Sequence, residues 1–213
     1  STFTSRVDNV TITRITQSNT GSKINVDISI DDIASMKNFG SGVFPSHTKR
    51  DEENMLYRKF ADEDCSYIGM AAHYPAYAGS ELSEGGYAGV TRVIVSGGTK
   101  KMVSAVETGE SINVGRVKNP LIRITGADEV YLITKCSRTH NMGKFEEFAA
   151  AEEYDIFNEL LSDIENVVNK YTDINGAFSY DTALMPHKKK QSALFNSVSF
   201  SLGENTDKDS FNE

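Results

Sequence analysis

Two acidic clusters are the first candidates for chemistry. Asp51-Glu52-Glu53 and Asp62-Glu63-Asp64 flank a basic-aromatic stretch, Leu56 to Phe60. Carboxylates held close together bind calcium or, as an opposed pair, hydrolyse a glycosidic bond. Neither cluster has the alternating oxygen ligands and turn glycine of a calcium loop. Adjacent carboxylates on one loop are also not a general acid and base, which must flank the scissile bond several ångströms apart. Both clusters therefore read as solvated loops, and no catalytic residue is assigned. The histidines His47, His73, His140 and His187 lack ligand spacing, so neither a metal nor a cofactor is expected. No phosphate loop, dinucleotide fingerprint, GxSxG or HExxH motif occurs.

Aromatic residues offer the other opening. His73, Tyr74 and Tyr77 lie in one loop, HYPAYAGSELSEGG over 73–86, with Tyr87 just beyond it. A tyrosine face combines apolar area with a polar tip, which suits stacking on a sugar ring. His73, Tyr74 and Tyr77 are thus the candidate substrate-binding residues. The alternative is that they cover a sheet edge, and the chain has no tryptophan. Lys188-Lys189-Lys190 reads as a solvated helix face, poised to pair with the acidic helix before it. Asn9-Val10-Thr11 matches a glycosylation sequon, which has meaning only in a secreted eukaryotic protein.

The elements that would position these groups are mainly β over the first two thirds. Thr2 to Thr4, Val10 to Gln17 and Lys23 to Asp32 read as strands. In the last, Ile24, Val26, Ile28 and Ile30 alternate with polar residues. Residues 33–65 lack sustained periodicity, although Asn54 to Phe60 fits two helical turns. Strands resume at Ser66 to Ala72 and Tyr87 to Ser96. Gly97-Gly98 reads as a hairpin turn into Lys101 to Glu107. Ser111 to Val117, Leu121 to Thr125 and Glu129 to Cys136 follow. Such strands and turns predict an antiparallel β-sandwich over 1–138.

Near Thr139 the period changes. Phe145, Phe148, Ile156, Leu160, Ile164, Val167 and Tyr171 recur mostly at 3- and 4-residue steps, as in one or two amphipathic helices. Ser179 suits the N-cap of a further helix towards Phe195, in which Pro186 predicts a kink or a later start. Val198 to Leu202 alternates like a closing strand. Residues 139–203 thus form a helical linker with that strand, and 204–213 a flexible tail.

The 213-residue chain carries a net charge of -8. Eight acidic and two basic residues lie between Lys144 and Lys170, and four acidic and one basic in the tail. The β portion is left without basic excess, which argues against nucleic acid as a partner. No apolar run reaches the length of a membrane-spanning helix. Cys65 and Cys136 make no disulfide framework. Two free buried thiols are expected, with one Cys65–Cys136 bridge as the alternative. The strand pattern begins at Thr2, as in a piece of a longer protein.

Three stretches together resemble glycoside hydrolase family 95, the α-L-fucosidase type. They are TFTSRVDNVTITRI (2–15), GADEVYLIT (126–134) and HKKKQSALFNSVSFSLG (187–203). The third is the most specific, and the order of the three agrees with the family. The resemblance implies an N-terminal β-supersandwich and helical linker from a longer enzyme. The catalytic residues of such an enzyme sit in an (α/α)6 barrel that this chain does not reach. It also implies a parent reaction, inverting hydrolysis of α-L-fucosides or α-L-galactosides, and export to the periplasm or the outside of the cell. The expected partner is the catalytic barrel of the same polypeptide, with glycan as a second. A stand-alone carbohydrate-binding β-sandwich module is the alternative. A complete small glycosidase would need a carboxylate pair that the sequence does not display.

Overall fold

The computed structural model describes residues 1–19, 21–30, 56–74, 85–103, 120–141, 143–152 and 155–197. Among the described residues, the strands in chain order are β1 (Thr2–Thr4), β2 (Thr11–Thr16), β3 (Ile24–Ser29), β4 (Leu56–Ala61), β5 (Tyr67–His73), β6 (Gly85–Ser96), β7 (Thr99–Val103), β8 (Leu121–Ala127) and β9 (Glu129–Asn141). Helices α1 (Phe145–Ala150), α2 (Asn158–Tyr171) and α3 (Tyr180–Phe195) follow. The strands form a six-stranded sheet of order β1-β2-β9-β6-β5-β4 and a three-stranded sheet of order β3-β8-β7. Every neighbouring pair is antiparallel. The fold is an antiparallel β-sandwich with a helical layer on one side.

The large sheet is buried on both faces, and residue parity decides which face each side chain joins. Val93 and Val130 pack with Ile24, Ile68, Ile122 and Ile124 between the two sheets. Their neighbours of opposite parity, Val90, Tyr131 and Ile133, pack with Phe157, Leu160, Ile164 and Val168 beneath the helices. The predicted helix face of Ile156, Leu160, Ile164 and Val167 is therefore spent on the sheet. Helices and sheet share one core, and β9 continues to Asn141, past the point at 138 where the sequence pattern changes.

Two sequence expectations are corrected. Leu56–Ala61, which overlaps the stretch Asn54 to Phe60 read as helical, is strand β4 at the edge of the large sheet. Phe60 and Leu56 turn towards the helices, and the Phe60 ring lies over Gly69 of β5, where any Cβ would come within 2.3 Å of it. Pairing and burial outweigh local helix propensity here. Gly97-Gly98 is also not a hairpin turn: β6 belongs to the large sheet and β7 to the small one. The chain switches sheets there and switches back between β8 and β9. These two corners stack. Gly98 has φ +68, and a Cβ on it would meet the Thr125 carbonyl oxygen at 2.4 Å and the Ala127 nitrogen at 2.6 Å. Gly98→Ala should cost at least about 2 kcal/mol in urea unfolding, from left-handed strain plus a clash with backbone. A loss below about 0.5 kcal/mol would mean that the corners are not in close contact.

Helix α3 starts where the sequence placed its cap. The Ser179 hydroxyl accepts from the Thr182 N–H at 3.2 Å. Pro186 lies inside the helix, not at a break. Both cysteines are free, with Cys65 buried and Cys136 exposed, so only one matches the expected pair of buried thiols. Residues 31–55, the strand expected at Ser111 to Val117, the closing strand at Val198 to Leu202 and the tail lie outside the described residues. No described helix is long and apolar enough to cross a membrane.

Candidate functional site

His73 and Tyr74 end β5, beside the start of β6 and the last residues of β9. His73 is fully buried, with its ring centroid 5.3 Å from that of Phe148 on α1. Its Nδ1 lies 2.7 Å from the Tyr74 carbonyl oxygen and its Nε2 2.9 Å from that of Gly143. The imidazole thus ties the end of β5 to the segment that enters α1, and a sugar could not reach it without local opening. Tyr74 is half-buried, with its ring centroid 6.2 Å from that of Tyr87. Of the candidate residues, the fold thus pairs Tyr74 with Tyr87 and withdraws His73 from the surface. Tyr77 lies outside the described residues.

Several carboxylates of the described residues, Asp62, Glu165 and Glu129 among them, are engaged internally. Asp62 accepts the backbone N–H groups of Ser66 (2.6 Å) and Tyr67 (2.7 Å), which closes the β4–β5 turn. Burial pushes its pKa up in spite of these bonds. Glu165 of α2 accepts from the Tyr67 hydroxyl, and the Arg92 Nε stands 3.5 Å from its carboxylate. The Arg92 guanidinium carbon lies 4.7 Å from the Tyr67 ring centroid. Burial raises the Glu165 pKa and lowers that of Arg92. Glu129 receives Arg14 and the Tyr131 hydroxyl. Burial and that bond to Glu129 push Tyr131 up to about 12. The cluster at 51–53 lies outside the described residues. Among the described residues, no group of three or more His, Cys, Asp or Glu side chains could hold a metal ion.

The acidic face of α2 finds its cations on the sheet, not on α3. Asp163 pairs with Lys135 of β9 at 3.0 Å, and Glu165 with Arg92 of β6. Lys190, expected to pair with that helix, instead donates to the Arg6 carbonyl oxygen at 3.2 Å. The reason is register: α2 lies over β6 and β9, and α3 reaches the β1–β2 turn.

That turn and α3 enclose an open groove of about 760 Å³, lined by Thr4, Arg6, Asn9, His187, Lys190 and Gln191 among others. Along α3, Tyr180 and Ala183 are buried under the sheet edge, and the same stripe then turns polar at His187, Lys190 and Gln191. Phe3 of β1 meets both kinds of residue, with ring centroids 5.3 Å from Tyr180 and 5.2 Å from His187. Asn9 closes the turn with φ 53, its N–H donating to the Ser5 carbonyl oxygen at 3.0 Å. The sequence expectation missed this groove, since Arg6 and His187 are 181 residues apart. The signal available was the 3- and 4-residue spacing that puts His187, Lys190 and Gln191 on the stripe of Tyr180 and Ala183.

The class defined by this geometry is an antiparallel β-sandwich with an integral helical layer. Compared with protein-family models and with curated proteins, the chain matches none.

Proposed function

We propose that this chain is a non-catalytic part of a carbohydrate-active glycoside hydrolase of the family 95 type. In this reading it is a partial supersandwich with its helical linker, supporting a catalytic barrel of the same polypeptide. The parent reaction is hydrolysis of α-L-fucosides or α-L-galactosides, and periplasmic or secreted placement belongs to the same proposal. The observation that carries it is the far end of α3. From Lys188 to Ser197 every residue is exposed, including Leu194 (51%) and Phe195 (77%). Apolar side chains left uncovered at the end of an outgoing helix suit contact with a further part. They also lie in the His187–Gly203 segment, where the resemblance is most specific.

Two measurements test this. The purified chain should release nothing from aryl α-L-fucoside or α-L-galactoside above the uncatalysed rate. Turnover abolished by one Asp or Glu substitution would overturn the reading. The Leu194→Glu/Phe195→Glu variant should keep its unfolding free energy within about 0.5 kcal/mol, as surface substitutions do. A loss above about 1 kcal/mol would show that this end packs on its own body, and the support would be gone.

The Tyr74–Tyr87 pair favours a second reading, a carbohydrate-binding module. That reading requires saturable oligosaccharide binding that Tyr74→Ala weakens by about 1 kcal/mol or more, the scale of a lost aromatic stacking contact.

A further inference from the structure

We infer that the groove between the β1–β2 turn and α3 is an oxyanion site, which takes a phosphate or sulfate group, free or carried on a sugar. The inference does not rest on the family reading. It follows from the groove's charge and from how its own hydrogen bonds engage its acceptors while leaving most of its donors. The Arg6 backbone N–H donates to His187 Nδ1 at 3.4 Å, so a neutral imidazole carries its proton on Nε2. The Arg6 Nε donates to Gln191 Oε1, and Lys190 Nζ donates to the Arg6 carbonyl oxygen. Apart from a second lone pair on the Arg6 carbonyl oxygen and on Gln191 Oε1, the remaining polar capacity of these four residues consists of donors. Arg6 keeps both terminal amino groups, Lys190 two ammonium protons, His187 its Nε2–H and Gln191 its amide NH2.

Charge points the same way. The protein carries a net -8, yet among the described residues two permanent cations line this groove and no carboxylate does. The nearest acid in sequence, Asp8, does not neutralise them. Its two oxygens are taken by Lys170 (2.7 Å), Tyr171 (2.8 Å) and Ser5 (2.8 Å). A guanidinium whose Nε is already fixed presents its outer amino groups as a fork, which matches a tetrahedral oxyanion. The turn that carries Arg6 is held by the Ser5–Val10 and Asn9–Ser5 backbone bonds, so part of the ordering cost of binding is met in advance. At about 760 Å³ the groove exceeds a bare anion and is in the range of small-molecule sites.

The test is a titration of the whole chain at low ionic strength with inorganic phosphate and, separately, glucose 6-phosphate. Calorimetry and the amide NMR signals of Arg6 and Gln191 are the readouts. Saturable binding of at least one ligand is expected. It should weaken at least about 10-fold in Arg6→Gln/Lys190→Gln and stay within about 2-fold in the control Lys188→Gln/Lys189→Gln. Should the double variant fail to fold, Lys190→Gln alone carries the test with about a 3-fold weakening, since Lys190 touches only a carbonyl oxygen in the groove. Tighter binding of the ester assigns a sugar-borne group, and equal or tighter binding of phosphate assigns the free ion. No saturable response of either probe up to about 20 mM, or equal weakening in the control, overturns the inference.

Discussion

Phe157→Ala is expected to destabilise the protein by about 3–5 kcal/mol, the cost of removing a fully buried phenyl ring from a core that relaxes only in part. Phe157 is 0% exposed and precedes the first turn of α2. Its ring centroid lies 4.6 Å from that of Phe60 on β4. One side chain therefore joins the edge of the large sheet to the start of α2, the helix that lies over β6 and β9. Truncation leaves a void against Phe60, which itself lies over Gly69, so the damage spreads to the β4–β5 pairing. Urea unfolding followed by far-UV circular dichroism and by tyrosine fluorescence measures this. Both probes should show one coincident transition, shifted as a whole, because helices and sheet share a core. A helical linker that folds apart from the sandwich would give two transitions, of which the substitution moves one. A loss below about 1 kcal/mol would mean that the ring is not packed as described.

The same two-sided burial explains which elements were legible in the sequence. In β3, Ile24, Val26 and Ile28 alternate with Asn25, Asp27 and Ser29 because the outer face of the small sheet meets water. There Arg123 forks onto Asp27 with two bonds of 2.8 Å. In β6 and β9 the runs Val93-Ile94-Val95 and Val130 to Ile133 do not alternate, since each of these strands is covered on both faces. Such runs identify a strand without telling which sheet it joins. That is why Gly97-Gly98 suggested a hairpin: a local turn signal cannot distinguish a return along the same sheet from a step to another. Leu56 to Phe60 misled for a related reason. Arg58 and Lys59 suit a helix locally. In the fold Arg58 donates to the carbonyls of Ala149 and Ala151, which caps the end of α1 across 93 residues of chain. The candidate site was less legible still. His73 looked like part of an exposed aromatic loop, but its partners are carbonyl oxygens and a phenyl ring, and its burial comes from α1. The groove is made by residues from opposite ends of the sequence, and only register brings them together.

Asp8→Asn should lower stability by about 2–3 kcal/mol at neutral pH, the scale of removing hydrogen bonds to a charged group and leaving donors unpaired. The Asp8 side chain is 6% exposed and joins the β1–β2 turn to the last turn of α2. Lys170 donates to Oδ1, while Tyr171 and Ser5 both donate to Oδ2. An amide keeps the shape but turns one acceptor into a donor, which faces either the ammonium or the two hydroxyls. Burial alone would raise the pKa of Asp8. The bonds from Lys170, Tyr171 and Ser5 outweigh it and hold the carboxyl below its ordinary 3.8. The sign follows from linkage. A carboxylate with a lowered folded pKa contributes stability in full above its unfolded value, and this is lost as pH falls through the folded one. The native protein should therefore lose urea stability on going from pH 7 to pH 3 by more than the Asn variant does, and the two curves should converge on the acid side. Parallel curves would show that Asp8 titrates alike in folded and unfolded chains, and that the triad of donors is not formed. Asp8 also fixes the turn from which Arg6 and Asn9 reach the groove. Phosphate binding should accordingly weaken in the Asn variant even at temperatures where the fold is intact, which makes this carboxylate a positioning residue for the cationic groove.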